Sequence, residues 1–130
     1  MSGRSAKELI GEAGDRPFSP ALGAGPLVFV SGQVSVDRTS GAVVGTDVAS
    51  QTTQVLDNLR DVLAGAGLDL DDLVKTTVFL TDIKDFGAMN EVYRARFAPP
   101  RPTRSTVEVS ALARPEFKVE IEGIALRREH

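Results

Sequence analysis

The sequence predicts one α+β domain built as two layers, a mixed β-sheet with two helices packed on one of its faces. Two stretches with apolar residues three and four apart alternate with short β-branched stretches, Pro, Gly and Asp punctuate the joins, and no segment repeats. The domain takes in the whole chain, 1–130, because 130 residues with 42% apolar content fill one core and leave no room for a second.

In chain order, residues 1 to about 17 alternate polar and small side chains, which fits a frayed arm or a weak edge strand. Gly23 to Gly25 reads as a turn. Leu27 to Val36 is rich in Val and Phe, and Asp37 to Gly41 supplies turn chemistry before Ala42 to Val44, so a hairpin is expected there. Gly32 inside that strand marks a bulge or a close approach by a ligand or another backbone. Asp47 can cap a helix whose stripe is Val48, Thr52, Val55, Leu56, Leu59, Val62 and Leu63, ending near Gly65 or Gly67 in the left-handed C-terminal position.

Leu73 to Leu80 is short and β-branched, as a strand buried on both faces or nearly so should be. A second helix starts at Asp82 or Asp85 with Phe86, Met89, Tyr93 and Phe97 on one stripe, and Pro99, Pro100 and Pro102 stop it. Ser105 to Val109 and Phe117 to Leu126 are the last two strands. In the longer one Phe117, Val119, Ile121, Gly123 and Ala125 share the face that carries the helices, and Lys118, Glu120 and Glu122 share the other. Leu27, Phe29, Leu73 and Phe79 alternate against Val28, Val30, Val74 and Val78, so both sheet faces carry apolar side chains. Two helices cover one face, and association of subunits through the other is the simplest remedy.

Composition removes several chemistries. There is no Cys, and the one His is the terminal His130. A Ser-His-Asp triad, a Cys-His pair, a His-Cys zinc site and a two-His ribonuclease mechanism all lack their parts. Catalysis here runs on carboxylates, Arg, Lys, hydroxyls and backbone groups. The formal net charge of -3 and pI of 5.1 give no footprint for nucleic acid, and no apolar run is long enough for a leader or a membrane span, so the protein is expected in the cytoplasm. Asp69, Asp71 and Asp72 cluster in a connection, where a solvated turn is expected and no metal. Gly23 to Gly25 and Gly65 to Gly67 lack the setting of a phosphate loop.

Eight fragments in order carry a family resemblance: PFSPA (17–21), LVFVSGQ (27–33), TSGAVV (39–44), Gln51 with Asn58-Leu59, AGLDLDDLVKTTVFLTDIKDF (66–86), MNEVY (89–93), PTRSTVEV (102–109) and VEIEGIA (119–125). Together they resemble the reactive intermediate deaminase family, RidA or YjgF. The resemblance implies a chorismate-mutase-like subunit and a homotrimer whose sheets form a central barrel, with active sites in clefts between subunits. It implies hydrolysis of 2-imino or 2-enamino acids to 2-oxo acids and ammonia without a cofactor. Arg104 would bind the substrate carboxylate, Glu120 would position the attacking water, and the backbone at Thr106 would hold the imine, with Ser31 and Asn90 as further site residues. Phe18 stands where archetypal members carry Tyr, Thr106 where they carry Cys, and the loop before Arg104 is shorter and richer in Pro.

The residues, read for themselves, fit such roles. Arg104 sits between Pro102 and a β-branched strand, and a planar guanidinium holds a carboxylate through two parallel hydrogen bonds. Glu120 lies opposite the core face; association would bury it and raise its pKa, which suits acid–base work, and Glu122 on the same face is its rival. Ser31 has no base to activate it, so it is a hydrogen-bonding group. Asn90 either ties a loop or lines the site, and Tyr93 reads as core. A non-catalytic trimeric small-molecule binder or chaperone-like protein is the alternative, and the acidic charge and missing His argue against an endoribonuclease.

Overall fold

In the computed structural model, which describes residues 7–128, the Asp47 carboxylate accepts the Ser50 amide at 2.7 Å and opens helix α1 (Val48–Ala64). The predicted stripe of α1 is buried from Val48 to Leu63. Gly67 takes the left-handed conformation after the helix (φ 72°), while Gly65 stays right-handed at its cap. Asp82 caps a 3-10 turn, Ile83–Asp85, that runs into α2 (Phe86–Arg96); Asp85 makes no capping bond. Met89, Tyr93 and Phe97 are buried, but Phe86 is 39% exposed.

Six strands form one sheet: β1 (Lys7–Ile10), β2 (Ala21–Ala24), β3 (Leu27–Gln33), β4 (Leu73–Leu80), β5 (Thr103–Glu108) and β6 (Val119–Leu126), in the order β1-β2-β3-β6-β4-β5. Neighbours run antiparallel except β4 and β5, which are parallel and connected through α2. Val119, Ile121, Gly123 and Ala125 of β6 are buried under the helices beside Val28 and Val30 of β3 and Val78 and Leu80 of β4. The opposite face carries Phe29 at 41% exposure, with Val107 and Leu126 also exposed. No helix among the described residues is long and apolar enough to cross a membrane.

Three local readings change. The expected hairpin from Leu27 to Val44 gives way to one between β2 and β3 around Gly25 (φ 57°), and Val36–Val43 is a single bridge. Beyond Gln33 the backbone is held instead by a side chain, since the buried Asn58 amide donates to the Val34 and Val36 carbonyls. The segment Ala21–Ala24 has weak strand propensity, but pairing with β1 and β3 makes it one; only its end turns. Simple alternation puts Leu73 on the face of Phe79, but an irregularity between Leu73 and Lys75 shifts the phase, so Leu73 is buried with Val78 and Val74 is exposed. The weak edge strand is β1; the first six residues of the N-terminal arm and His130 lie outside the described residues.

Asp69 and Asp72 complete a capping box, Asp72 also pairs with Arg128 at 2.8 Å, and Asp71 accepts the Ala98 amide at 3.2 Å. These carboxylates hold the turn before β4.

Candidate functional site

Arg104 is the second residue of β5 and the register partner of Thr76 on β4. Thr76 is buried under α2, so Arg104 also points to the helix side of the sheet. Its guanidinium carbon lies 4.7 Å from the centre of the Tyr93 ring and 5.5 Å from that of Phe86. Tyr93 is fixed in turn, with its hydroxyl 2.6 Å from the Thr76 hydroxyl and its ring 4.6 Å from Phe97. Burial pushes the Tyr93 phenol pKa up, against the Thr76 hydrogen bond and the Arg104 charge, so at neutral pH it is a neutral hydrogen-bonding group.

Cation–π contacts hold a guanidinium by its face and leave its N–H fork free. The Arg104 guanidinium makes no hydrogen bond or ion pair with any described residue. It lines a cleft of about 310 Å³ with Asn90, Tyr93, Arg94, Arg101 and Pro102. The Asn90 amide makes no hydrogen bond to the described residues, so it ties no loop here. Two residues beyond Arg104 on the same face, the Thr106 hydroxyl is buried without a hydrogen-bond partner.

Glu120 belongs to the other face, opposite Phe79. It packs over Gly32 at the irregularity between Val30 and Gln33: a Cβ at Gly32 would lie 2.1 Å from the Glu120 Oε2. The bulge expected at Gly32 is there, and what approaches the glycine is a side chain rather than a ligand or another backbone. Burial, then the charge of Glu122, raises the Glu120 carboxyl above its ordinary value of 4.5. Glu122 is exposed and lines a separate cleft of about 360 Å³ with Phe29, Ser31, Lys75 and Ile124. Glu120 is the half-buried carboxylate of the two. The Ser31 hydroxyl donates to the Ser19 carbonyl at 2.6 Å, which fixes it as a hydrogen-bonding group. Phe18, one residue before Ser19, is 52% exposed, with the Arg16 guanidinium 5.7 Å from its ring.

The expected site residues thus fall into two groups. Arg104, Asn90 and Thr106 gather on the helix side of the β4–β5 edge, while Ser31 and Glu120 gather on the uncovered face near β3. One chain does not bring Arg104 and Glu120 together. Tyr93 and Phe86, read from sequence as core residues, are the bracket for Arg104. Their seven-residue spacing, two helical turns, is the signal that could have found them.

The family model described as Endoribonuclease L-PSP matches residues 12–127. The chain belongs to the YjgF/RidA family. The 2-iminobutanoate/2-iminopropanoate deaminase of Salmonella typhimurium is 43% identical over 115 residues, covering 86% of this chain and 88% of that protein. A RutC family protein of Pyrococcus horikoshii is 43% identical over 111 residues, 85% of this chain and 87% of its own length. Among solved structures, the YjgF gene product of E. coli superposes with a TM-score of 0.83 at 38% identity, covering 93% of this chain and 99% of that one. The α+β fold with a mixed sheet and two helices is that of these YjgF/RidA structures.

Proposed function

We propose that this YjgF/RidA chain is a hydrolase that converts 2-imino and 2-enamino acids to 2-oxo acids and ammonia, acting as a homotrimer with each active site between two subunits. The observation that carries the reading is Arg104, a guanidinium held by two aromatic faces with its donors unspent and a cleft in front of it. Such a group binds a carboxylate in a fixed orientation. The deaminase names of relatives above 40% identity support the same substrate class.

In this reading Arg104 of one subunit and Glu120 of the next face the same substrate, which accounts for their standing on opposite faces of one sheet. Arg104 holds the carboxylate and the backbone at Thr106 holds the imine nitrogen. Glu120 takes a proton from water as its oxygen bonds to C2. The C=N electron pair moves to nitrogen, which takes that proton back from Glu120 to give the carbinolamine. Glu120 then removes the hydroxyl proton as the C2=O bond forms and the C–N bond breaks, and hands it to the departing nitrogen, which leaves as ammonia. A carboxyl of raised pKa is suited to these transfers. Ser31 and Asn90 orient substrate or water, and Phe18, without a phenolic hydroxyl, contributes only its ring. The steps need no metal or cofactor.

The test is ammonia release from 2-iminobutyrate generated in situ, with and without the purified, assembled protein. Acceleration supports the hydrolase, and an assembled protein that leaves the spontaneous rate unchanged sinks it.

A further inference from the structure

The arginines of this chain divide into two kinds. Arg16, Arg60, Arg96, Arg114, Arg127 and Arg128 each donate to, or pair with, a carboxylate or a backbone carbonyl. Apart from the exposed Arg38, the described arginines without such a partner are Arg94, Arg101 and Arg104, and all three line the same cleft of about 310 Å³. No Asp or Glu lines it. In a chain of net charge -3, three arginines thus line one cleft whose lining holds no carboxylate. An anionic ligand entering the cleft would meet positive charge from all three.

The three are not equivalent. Arg104 is half-buried and bracketed by Tyr93 and Phe86, whereas Arg94 on α2 and Arg101 in the loop before β5 are exposed. Arg94 lies one helical turn beyond Asn90, so the two share a face of α2, and Arg101 is set between Pro100 and Pro102, whose rings limit the backbone. One carboxylate occupies the fork of Arg104. That leaves two outer guanidinium groups for a second negative charge on the same small molecule.

We propose that the preferred substrates are 2-imino acids of dicarboxylic amino acids, with the 2-imino carboxylate on Arg104 and the side-chain carboxylate between Arg94 and Arg101. The inference rests on the imine-hydrolase reading and extends it to substrate class. A nucleic-acid backbone is the poorer match, because it calls for a stripe of positive charge along a surface, and here the charge is confined to one small cleft.

The experiment compares the imines released in situ from glutamate and from methionine by amino-acid oxidases, scoring 2-oxo acid formation above the uncatalysed rate. The wild-type protein should favour the glutamate-derived imine in kcat/KM by roughly three- to tenfold, a margin set by solvent-exposed charge-assisted contacts. Arg94→Gln with Arg101→Gln should lower that ratio through KM, Arg38→Gln should leave it unchanged, and added salt should shrink it in the wild type. A wild-type ratio at or below one, or a ratio the double variant does not move, overturns the proposal. Calorimetric binding of 2-oxoglutarate against 2-oxobutyrate gives a reading independent of turnover. If neither imine is hydrolysed but 2-oxoglutarate still binds more tightly through Arg94 and Arg101, the hydrolase reading fails and the dicarboxylate site stands. Equal binding of the two oxo acids, or stronger binding of a short single-stranded RNA, overturns the site itself.

Discussion

Arg104 and Tyr93 form a unit that spans two layers of the molecule: the guanidinium carbon is 4.7 Å from the ring centre, and the ring's hydroxyl is 2.6 Å from Thr76, the register partner of Arg104 on β4. A helix residue thereby sets the position of a strand residue. The aromatic face restrains the long side chain without using its donors, which reduces the entropy lost when an anion binds.

If that unit binds the substrate carboxylate, Arg104→Ala should lower kcat/KM for monocarboxylic imines about ten- to a hundredfold, from roughly 1.5 to 3 kcal/mol for a lost charge-assisted contact. Arg104→Lys keeps the charge but loses the fork and should recover part of the activity. On the same substrates Arg101→Ala should cost far less. Steady-state kinetics of the assembled variants check this, and a larger loss at Arg101 than at Arg104 would reassign the carboxylate.

Tyr93→Phe separates the ring from its hydroxyl. The buried Thr76 hydroxyl would lose its partner, so stability should fall by about 1 to 3 kcal/mol while the ring still supports Arg104. Tyr93→Leu removes the face as well and should raise KM beyond anything seen in the Phe variant. Urea denaturation read beside kinetics distinguishes the two effects; equal KM values in both variants would show that the ring does not position Arg104.

Glu120 carries a pH signature. Its pKa is raised by burial and then by Glu122, so between its ordinary value of 4.5 and its raised native value the folded chain holds more proton than the unfolded one. Stability therefore falls as pH rises through that window, and the loss is complete above it. Glu120→Gln should be more stable than wild type near neutral pH, with the difference vanishing below about pH 4.5. Thermal melts of both proteins from pH 4 to 8 test the sign, and a wild type that is the more stable at neutral pH contradicts it.

Gly32→Ala addresses the same carboxylate from beneath. The added Cβ would fall 2.1 Å from Glu120 Oε2, the free end of a flexible side chain, so the carboxylate should swing away rather than the sheet break. The expected outcome is impaired imine hydrolysis with a small change in melting temperature; full activity would mean that the position of Glu120 over Gly32 does not matter.

The uncovered sheet face predicts assembly. Phe29, Val107 and Leu126 are exposed on the face opposite the helices, which favours burial against other copies. Light scattering should give about three times 13.8 kDa, and Phe29→Lys should shift the protein toward smaller species. A stable wild-type monomer would remove the basis for a site shared between subunits.

Much of this was legible in the residues themselves. The stripe of α1, its Asp47 cap, the alternation of β6 and the stop at Pro99 follow from local periodicity and capping, which depend on near neighbours in the chain. The ordered fragments from Pro17 to Arg127 were sufficient for the family, and Gly32 announced the irregularity of β3. Tertiary structure decided what depends on pairing across distance. Ala21–Ala24 became a strand through its two neighbours, and the irregularity after Leu73 moved the phase of β4, which no alternation count contains. It also decided that Tyr93 serves Arg104 as well as the core, that Arg94, Arg101 and Arg104 share one cleft, and that Arg104 and Glu120 face opposite sides of the sheet. Periodicity assigns a side chain to one face of its own element, whereas register and helix packing determine which other side chains and charges meet it there.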